Sequence, residues 1–208
     1  MGDYAPDFTA ITTQGKMNFS DYIKNSWALL FSHPADFTPV CSTEFIGFAE
    51  QQDEFDKRGV KLIGLSIDSV YSHIAWLRAI EEKFGVKVNF PVIADLSMEV
   101  AKKYGMIHEK ISTIHAVRTI TIINPRGEVA FLVTYPMGVG RNIEEIIRII
   151  DAIQLTEKKN VATPANWKKG DDVLIPPPET AIDAEKSAEQ NKTNPDYQDW
   201  FLCKTKIQ

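Results

Sequence analysis

The chain has 208 residues, of which 44% are hydrophobic and 25% are charged, and its formal net charge is −5. This length and apolar content suit one compact domain with an appendage. The negative charge excludes the strongly basic surface that holds nucleic acid or an anionic membrane. No stretch approaches the roughly 20 consecutive apolar residues that span a bilayer. We therefore expect neither nucleic acid nor a membrane as a partner.

The N-terminal residues and the cysteines indicate an intracellular protein. Residues 1–7 contain neither the cationic stretch nor the apolar core of a secretory signal, so we expect a cytoplasmic location. The two cysteines, Cys41 and Cys203, are too few and too far apart for a disulfide scaffold.

From Trp27 onward, apolar runs alternate with segments of helical periodicity. The first strands are short and apolar on both sides, as in a sheet that is buried on both faces. Gly59 and Gly85 provide helix stops. The predicted elements are a strand at 27–31, a helix at 38–58, a strand at 60–67 and a helix at 70–84. The second helix has an apolar face formed by Ile74, Leu77, Ile80 and Phe84. This order predicts parallel strands joined by right-handed crossovers.

The second half of the chain adds a hairpin and a further helix. A strand at 90–93 and a short helix near 97–104 precede it. The hairpin strands, 118–123 and 128–134, flank the turn signal Asn124-Pro125-Arg126-Gly127. The amphipathic helix that follows is marked by Ile143, Ile146, Ile147 and Ile150. The pattern indicates the α/β class.

The composition changes beyond Lys168. Pro176–Pro178 is a stiff, extended break, and residues 179–198 are polar with few large apolar side chains. The apolar end cluster, Asp199–Cys203, is unfavourable in water, so we expect it to dock on a surface. We predict a folded domain over residues 1–160 and a C-terminal extension over 161–208.

Cys41 stands where the first apolar strand gives way to a helix. Thr38 can cap that helix and Pro39 suits its first position, which puts Cys41 in the first turn. Unpaired backbone N–H groups and the positive end of the helix dipole favour a thiolate there. The alternative is an inert buried cysteine that packs as a small apolar side chain.

The residues around Cys41 match a known family. Pro34, Thr38 and Cys41 have the spacing P-x-x-x-T-x-x-C, which resembles the active-site loop of the peroxiredoxins, and His33–Cys41 is similar to their one-cysteine subgroup. The resemblance continues at Arg118, 140–142 and 154–167. It implies a thioredoxin-like fold, with a central mixed sheet flanked by helices, and a C-terminal extension.

The resemblance also implies a thiol peroxidase that reduces hydrogen peroxide and alkyl hydroperoxides through a sulfenic acid at Cys41. Acidifying a thiol by about two pKa units raises its reactivity at neutral pH only about 3-fold, because more acidic thiols give weaker nucleophiles. The remaining acceleration must come from stabilising the charge that develops as the O–O bond breaks. Arg118 matches the family's catalytic arginine and suits this task, since its guanidinium stays charged. The alternative for Arg118 is a surface ion pair at a strand start.

Thr38 and Pro34 receive roles from the same resemblance. Thr38 donates its hydroxyl to the attacked oxygen and binds the substrate together with Arg118. Pro34 shields the thiolate from bulk water and removes a competing N–H group. The alternative for Thr38 is a plain helix N-cap.

Three further residues form a predicted supporting group. Glu44 and Arg141 resemble the family's carboxylate and second guanidinium, which orient Arg118. His33 precedes the motif and is expected to hydrogen-bond near the pocket. A histidine with a purely structural hydrogen bond at the strand end is the alternative for His33.

Cys203 is predicted to be a resolving cysteine that attacks the sulfenic acid and forms a disulfide, between subunits. The alternative is that Cys203 only packs with Trp200 and Phe201. The expected reductant is a thioredoxin- or glutaredoxin-like protein or a low-molecular-weight thiol. The resemblance implies a homodimer, with the extension as its dimerisation arm, and assembly into a decameric ring.

We expect no cofactor and no metal. The sequence has no haem or nicotinamide signature, and His73, His108 and His115 lie on separate segments without carboxylates at ligand spacing. Two other functions remain open. A thioredoxin-type disulfide oxidoreductase needs a second cysteine near Cys41, and a ring-shaped holdase would use the apolar end cluster.

Overall fold

The computed structural model describes residues 1–193 and 195–206, and the chain divides into two compact units, Met1–Ile143 and Glu144–Gln208. The strands of the first unit are β1 Thr9–Thr12, β2 Gly15–Asn18, β3 Trp27–Ser32, β4 Val60–Ser66, β5 Val92–Ala94, β6 Arg118–Ile123 and β7 Val129–Tyr135. Its helices are α1 Phe19–Ile23, α2 Pro39–Glu50, α3 Gln52–Lys57, α4 Val70–Phe84 and α5 Glu99–Lys103, and α6 Ile143–Lys158 begins at its last residue.

The seven strands form one mixed sheet in the order β2-β1-β5-β4-β3-β6-β7. β3 pairs in parallel with β4, and β4 pairs in parallel with β5, whereas β6 and β7 form an antiparallel hairpin. β3 and β4 are almost entirely buried, which explains why their sequences are apolar on both faces. The predicted α/β class, the parallel crossovers and the hairpin are confirmed.

A layer of aromatic side chains packs α2 against the sheet. The Phe31 ring of β3 packs against Phe45 and Phe48 of α2, with ring centroids 5.3 and 4.3 Å apart. Gly64 of β4 lies under the same layer, and a Cβ there would be 3.0 Å from Cζ of Phe45. The absence of a side chain at Gly64 therefore lets the helix approach the sheet. This packing fixes the helix that carries Cys41.

The predicted helix over 38–58 is corrected to two helices. Between α2 and α3, Gln51 has φ −97° and ψ 10°, which ends the regular hydrogen-bond ladder of α2. Gly59 and Gly85 have φ of 65° and 70°, and their left-handed conformation ends the helical segments as predicted.

The predicted buried face of α4 is wrong in part. Ile74 and Phe84 are exposed, whereas His73 and Trp76 are buried together with Ile80. His73 lies 2.8 Å from the buried Asp36, and the indole N–H of Trp76 donates to the half-buried Ser42. Hydrophobic periodicity cannot identify such partners, because it records apolar side chains only.

The second unit contains α7 Ala181–Gln190 and a three-stranded sheet of β8 Val173–Leu174, β9 Tyr197–Asp199 and β10 Leu202–Thr205, in the order β8-β10-β9. The polar segment 179–198 thus includes a helix, whose N-cap Thr180 accepts a hydrogen bond from the backbone N–H of Asp183. Trp200 and Phe201 remain 44% and 57% exposed, so these two rings of the apolar end cluster are not covered within the single chain described.

The boundary between the compact units falls after Ile143, while the domain boundary at 160/161 remains a sequence prediction. Over residues 1–193 and 195–206, no helix combines the length and the apolar character that crossing a membrane requires.

Candidate active site

Cys41 is the third residue of α2 and its side chain is fully buried. The carboxyl end of β3 leads through residues 33–38 into this helix, and Pro39 occupies its first position. Because Cys41 lies in the first turn, its backbone N–H has no carbonyl partner within the helix. The predicted position of the thiol at a helix N-terminus is confirmed.

Thr38 precedes the helix in extended geometry, with φ −106° and ψ 149°, as an N-cap residue does. Its hydroxyl does not cap the helix, however. It donates to the carbonyl oxygen of Ala35 at 2.9 Å, and this corrects the prediction that the Thr38 side chain caps α2. Pro34, which lies between the end of β3 and Thr38 in the sequence, is buried.

Arg118, the first residue of β6, is 3% exposed and faces Cys41. Its Nη1 donates to Cys41 Sγ at 3.3 Å and to Glu44 Oε2 at 2.7 Å. Its Nε donates to the carbonyl oxygen of Met137 at 2.8 Å, which fixes the plane of the guanidinium. The surface ion pair considered for Arg118 is therefore wrong, since the side chain is interior.

Glu44 joins Arg118 to a second arginine. Arg141 donates to both Glu44 oxygens, through Nε to Oε1 at 2.9 Å and through Nη2 to Oε2 at 2.6 Å, and its backbone N–H also donates to Oε1. Burial lowers the pKa of Arg141, and Glu44 opposes that shift. The guanidinium lies 5.0 Å from the ring centroid of Phe31.

The charges of this cluster do not cancel. Two guanidiniums share one carboxylate, which leaves one excess positive charge beside the sulfur of Cys41. The side chains of the cluster are buried, so the attraction between that charge and an anion is stronger than in water. The arrangement can stabilise negative charge on the sulfur or on an oxygen bound next to it.

His33 and Asp36 form a second buried cluster with His73. His33 Nε2 lies 2.9 Å from Asp36 Oδ1, and His73 Nδ1 lies 2.8 Å from Asp36 Oδ2. The described hydrogen bond of His33 thus goes to Asp36, and its Nδ1 has no described partner. Sequence spacing offered His73 no carboxylate, but the fold brings Asp36 to it from 37 residues away.

These three side chains are the one group of metal-ligating type that the described residues bring together, with ligand atoms within 4.8 Å of one another. Asp36 already lies within hydrogen-bond distance of both histidines, at 2.9 and 2.8 Å. Neither Asp36 nor its contact with His73 is predicted from the sequence. No local spacing could have predicted the contact, since the two lie on separate elements.

Cys203 lies in β10 of the second unit and is 8% exposed. Both cysteines are free thiols in this structure. The structure thus brings Cys41, Glu44, Arg118 and Arg141 into one cluster and places Pro34 and Thr38 on the segment that leads into it.

A buried thiol at a helix N-terminus, facing arginines at the end of a mixed sheet, defines a class of cysteine-dependent oxidoreductases. Two family models match the chain: the AhpC/TSA family over residues 1–132, and the C-terminal domain of 1-Cys peroxiredoxin over residues 152–191. The chain belongs to the peroxiredoxin family, in its one-cysteine type with a C-terminal extension.

Full-length relatives agree with this membership. The chain is 51% identical to a peroxiredoxin of Methanosarcina mazei, covering 98% of this chain and 95% of the relative. It is 48% identical to a peroxiredoxin of Aquifex aeolicus, covering 100% of this chain and 96% of the relative.

Two solved structures are similar over the whole chain. A yeast mitochondrial 1-Cys peroxiredoxin has a TM-score of 0.87 and 43% identity, covering 100% of this chain and 99% of that one. A cysteine-to-serine mutant of peroxiredoxin 6 of Arenicola marina has a TM-score of 0.87 and 38% identity, with coverage of 100% and 98%. The thioredoxin-like fold and the peroxidase activity predicted from the motif are confirmed. The membership favours the peroxidase over the disulfide-oxidoreductase alternative, while the holdase alternative stays a prediction from the sequence.

Proposed function

We propose that Cys41 is the peroxidatic nucleophile and that it reduces hydrogen peroxide and small alkyl hydroperoxides. The observation that carries this proposal is the 3.3 Å contact between Arg118 Nη1 and Cys41 Sγ, in a cluster with one excess positive charge. Complete burial of the thiol favours small substrates, because a bulky peroxide must displace packed side chains to reach it.

The reaction transfers one oxygen atom to the sulfur. The Cys41 thiolate attacks the terminal oxygen of the hydroperoxide, so that an S–O bond forms while the O–O bond breaks. The departing oxygen leaves with the electron pair and takes a proton, which gives water or an alcohol. The sulfur is oxidised by two electrons to a sulfenic acid.

Arg118 stabilises the charge that moves from sulfur to the departing oxygen, since its Nη1 already touches the sulfur. Thr38 binds the same peroxide. The sequence predicted that Thr38 donates to the attacked oxygen, but its hydroxyl donates to the Ala35 carbonyl, so in this proposal Oγ1 instead accepts the O–H of the incoming peroxide. Glu44 and Arg141 hold Arg118 in place, and Pro34 limits access of water.

Cys203 completes the cycle in this proposal. Its thiol attacks the Cys41 sulfenic acid of the partner subunit, which forms a disulfide and releases water. Two external thiols then reduce the disulfide and become oxidised themselves. A thioredoxin- or glutaredoxin-like protein, or a low-molecular-weight thiol, supplies these electrons. In the yeast mitochondrial relative, the thiol is resolved via glutathione and thioredoxin systems.

The proposal includes a homodimer that assembles into a decameric ring, with residues 161–208 as the dimerisation arm, in the cytoplasm. Family membership supports the assembly, and the electron transfer between Cys41 and Cys203 of different subunits requires at least a dimer.

The test compares Cys41→Ser with Cys203→Ser. Cys41→Ser is expected to lose peroxide consumption, whereas Cys203→Ser is expected to consume one equivalent of peroxide per subunit. Non-reducing electrophoresis after one equivalent of peroxide should show a covalent dimer in the unsubstituted protein and none in Cys203→Ser. Retained turnover in Cys41→Ser contradicts the peroxidase site, and a dimer that persists in Cys203→Ser contradicts only the resolving role.

A further inference from the structure

The segment that carries Pro34 and Thr38 contains a strained residue. Phe37 has φ 56°, and its side chain is 61% exposed. A bulky residue in the left-handed region is unfavourable, so the surrounding structure must hold it there. The exposed ring of Phe37 supplies little of that restraint. Contacts of its neighbours must therefore fix the segment.

Asp36, directly before Phe37, has the required contacts. Its carboxylate accepts from His33 Nε2 at 2.9 Å and from His73 Nδ1 at 2.8 Å. Its backbone N–H donates to Asp68 Oδ2 at 3.0 Å. Its side chain is only 1% exposed, so water does not compete for these hydrogen bonds. Asp36 is therefore tied both to its own segment and to residues far along the chain.

The partners of Asp36 belong to the rigid part of the first unit. His73 is fully buried on α4, and its Nε2 lies 3.1 Å from the carbonyl oxygen of Ile93 in β5. Asp68 follows β4, and its Oδ2 accepts from the Ser66 hydroxyl at 2.7 Å. A helix and two central strands thus anchor the strained segment from one side.

The hydrogen bonds of the cluster indicate which of its side chains is ionised and which is neutral. Burial by itself raises the pKa of Asp36, but the bonds from His33 and His73 outweigh this effect and hold the pKa well below its usual range. Burial lowers the pKa of His33, although Asp36 opposes that shift. A neutral His33 with its hydrogen on Nε2 and an ionised Asp36 fit the geometry, since the carboxylate can only accept.

We propose that Asp36, held by His73, is a positioning residue of the peroxidase: it fixes residues 33–38 so that Pro34 and Thr38 surround the peroxide at Cys41. Asp36 does not touch the reacting atoms. Its loss leaves the thiol and Arg118 in place while the substrate-binding segment moves. This inference rests on the proposed function of Cys41 and Thr38.

The experiment compares two reactions of the same sulfur. In a Cys203→Ser background, Cys41 is the one remaining thiol, and its rates with hydrogen peroxide and with iodoacetamide can both be measured. Peroxide needs the arranged segment, whereas alkylation needs only the thiolate and access to the buried sulfur, and access does not fall when the segment moves. The ratio of the peroxide rate to the alkylation rate is expected to fall on the order of 10- to 100-fold in Asp36→Ala and in His73→Leu. Asp53→Ala, at an exposed position on α3, is the matched control and should leave the ratio unchanged.

A pair of substitutions at His73 separates positioning from a merely structural role. His73→Asn retains a donor near Nδ1, which faces Asp36, and should restore most of the ratio. His73→Gln retains a donor near Nε2, which faces Ile93, and should keep the ratio low. If Asp36→Ala or His73→Leu does not fold, this pair decides the question by itself.

The proposal is overturned if folded Asp36→Ala keeps the ratio within about 2-fold of the background, or if His73→Asn and His73→Gln behave alike. Failure of the proposed function is a different result. In that case the Cys203→Ser background itself reacts with peroxide no faster than free cysteine does.

Discussion

The two units of this chain place similar ion pairs in opposite surroundings. Arg141 and Glu44 in the first unit form a two-pronged pair whose side chains are 0% and 2% exposed. Arg148 and Glu145 on α6 form the same two-pronged pair, with side chains 30% and 41% exposed. The hydrogen-bond lengths are nearly equal, but the first pair is buried and shares Glu44 with Arg118, whereas the second is exposed and local to one helix. Buried charges interact strongly and fix the positions of catalytic side chains, whereas exposed charges are screened by water.

The largest expected effect comes from removing the charge beside the thiol. Arg118→Met should lower the second-order rate of Cys41 with peroxide on the order of 10²- to 10³-fold, because a positioned donor for the transition state is lost. Stopped-flow measurement of the first turnover checks this. Arg126→Met, on the exposed turn between β6 and β7, is the control and should leave the rate unchanged. A rate for Arg118→Met within about 2-fold of the unsubstituted protein would remove Arg118 from the mechanism.

The next effect concerns stability. Glu44→Gln removes the carboxylate that the two buried guanidiniums share. It should lower the free energy of unfolding by about 3 kcal/mol. Urea denaturation measures this change, from the midpoint of the transition and the slope of the free energy against urea concentration. An unchanged midpoint would mean that the cluster relaxes and that its buried charges do not hold the pocket together.

A pH dependence of smaller size follows from His33. Burial lowers its pKa in the folded protein, so the unfolded chain binds the proton first as pH falls below the ordinary value of 6.5. Stability is then fully present above pH 6.5 and declines as pH falls, by at most about 1.4 kcal/mol per pH unit for one proton. Asp36, His73 and Asp68 are the ionisable groups whose charges act on the ring.

The free energy of unfolding, measured between about pH 7 and pH 5, tests this sign. His33→Gln retains a donor toward Asp36 and should flatten the slope, while His108→Gln, at a half-buried position, should not. A slope that is the same in all three proteins would assign the pH dependence to other groups.

The smallest effect is expected at the exposed pair. Glu145→Gln makes the same chemical change as Glu44→Gln, but should lower the free energy of unfolding by only about 0.3–0.5 kcal/mol. The same urea experiment measures both variants. Equal losses for the two would show that burial does not set the strength of these pairs.

Much of the site could be predicted from the sequence. The apolar strand that ends at Ser32, Pro39 at the first helical position and Cys41 in the first turn are local features, readable within a short stretch of chain. The motif around Cys41 named the family and pointed to Arg118. The prediction that the Thr38 side chain caps the helix was wrong, because its hydroxyl donates to the Ala35 carbonyl.

The tail was less predictable. Composition indicated a polar segment over 179–198, and the structure shows α7 within it, because Thr180 caps a run of good helix formers. The resolving role of Cys203, its reductant and the oligomeric state remain proposals.

By itself the sequence determined the family, the helix whose first turn holds Cys41, and the order of the elements from β3 to α6, because periodicity, caps and motif spacing act over short stretches of chain. It did not predict β1, β2 and α1, or the helix and the three-stranded sheet of the second unit. Tertiary structure alone decided how closely the charges grouped by the family resemblance approach one another, and that Asp36 meets His73. Glu44 reaches Arg118 and Arg141 across 74 and 97 residues of sequence, and Asp36 reaches His73 across 37. These contacts depend on the order of the strands and on the packing of α2 and α4 against the sheet. Their burial is what makes them strong.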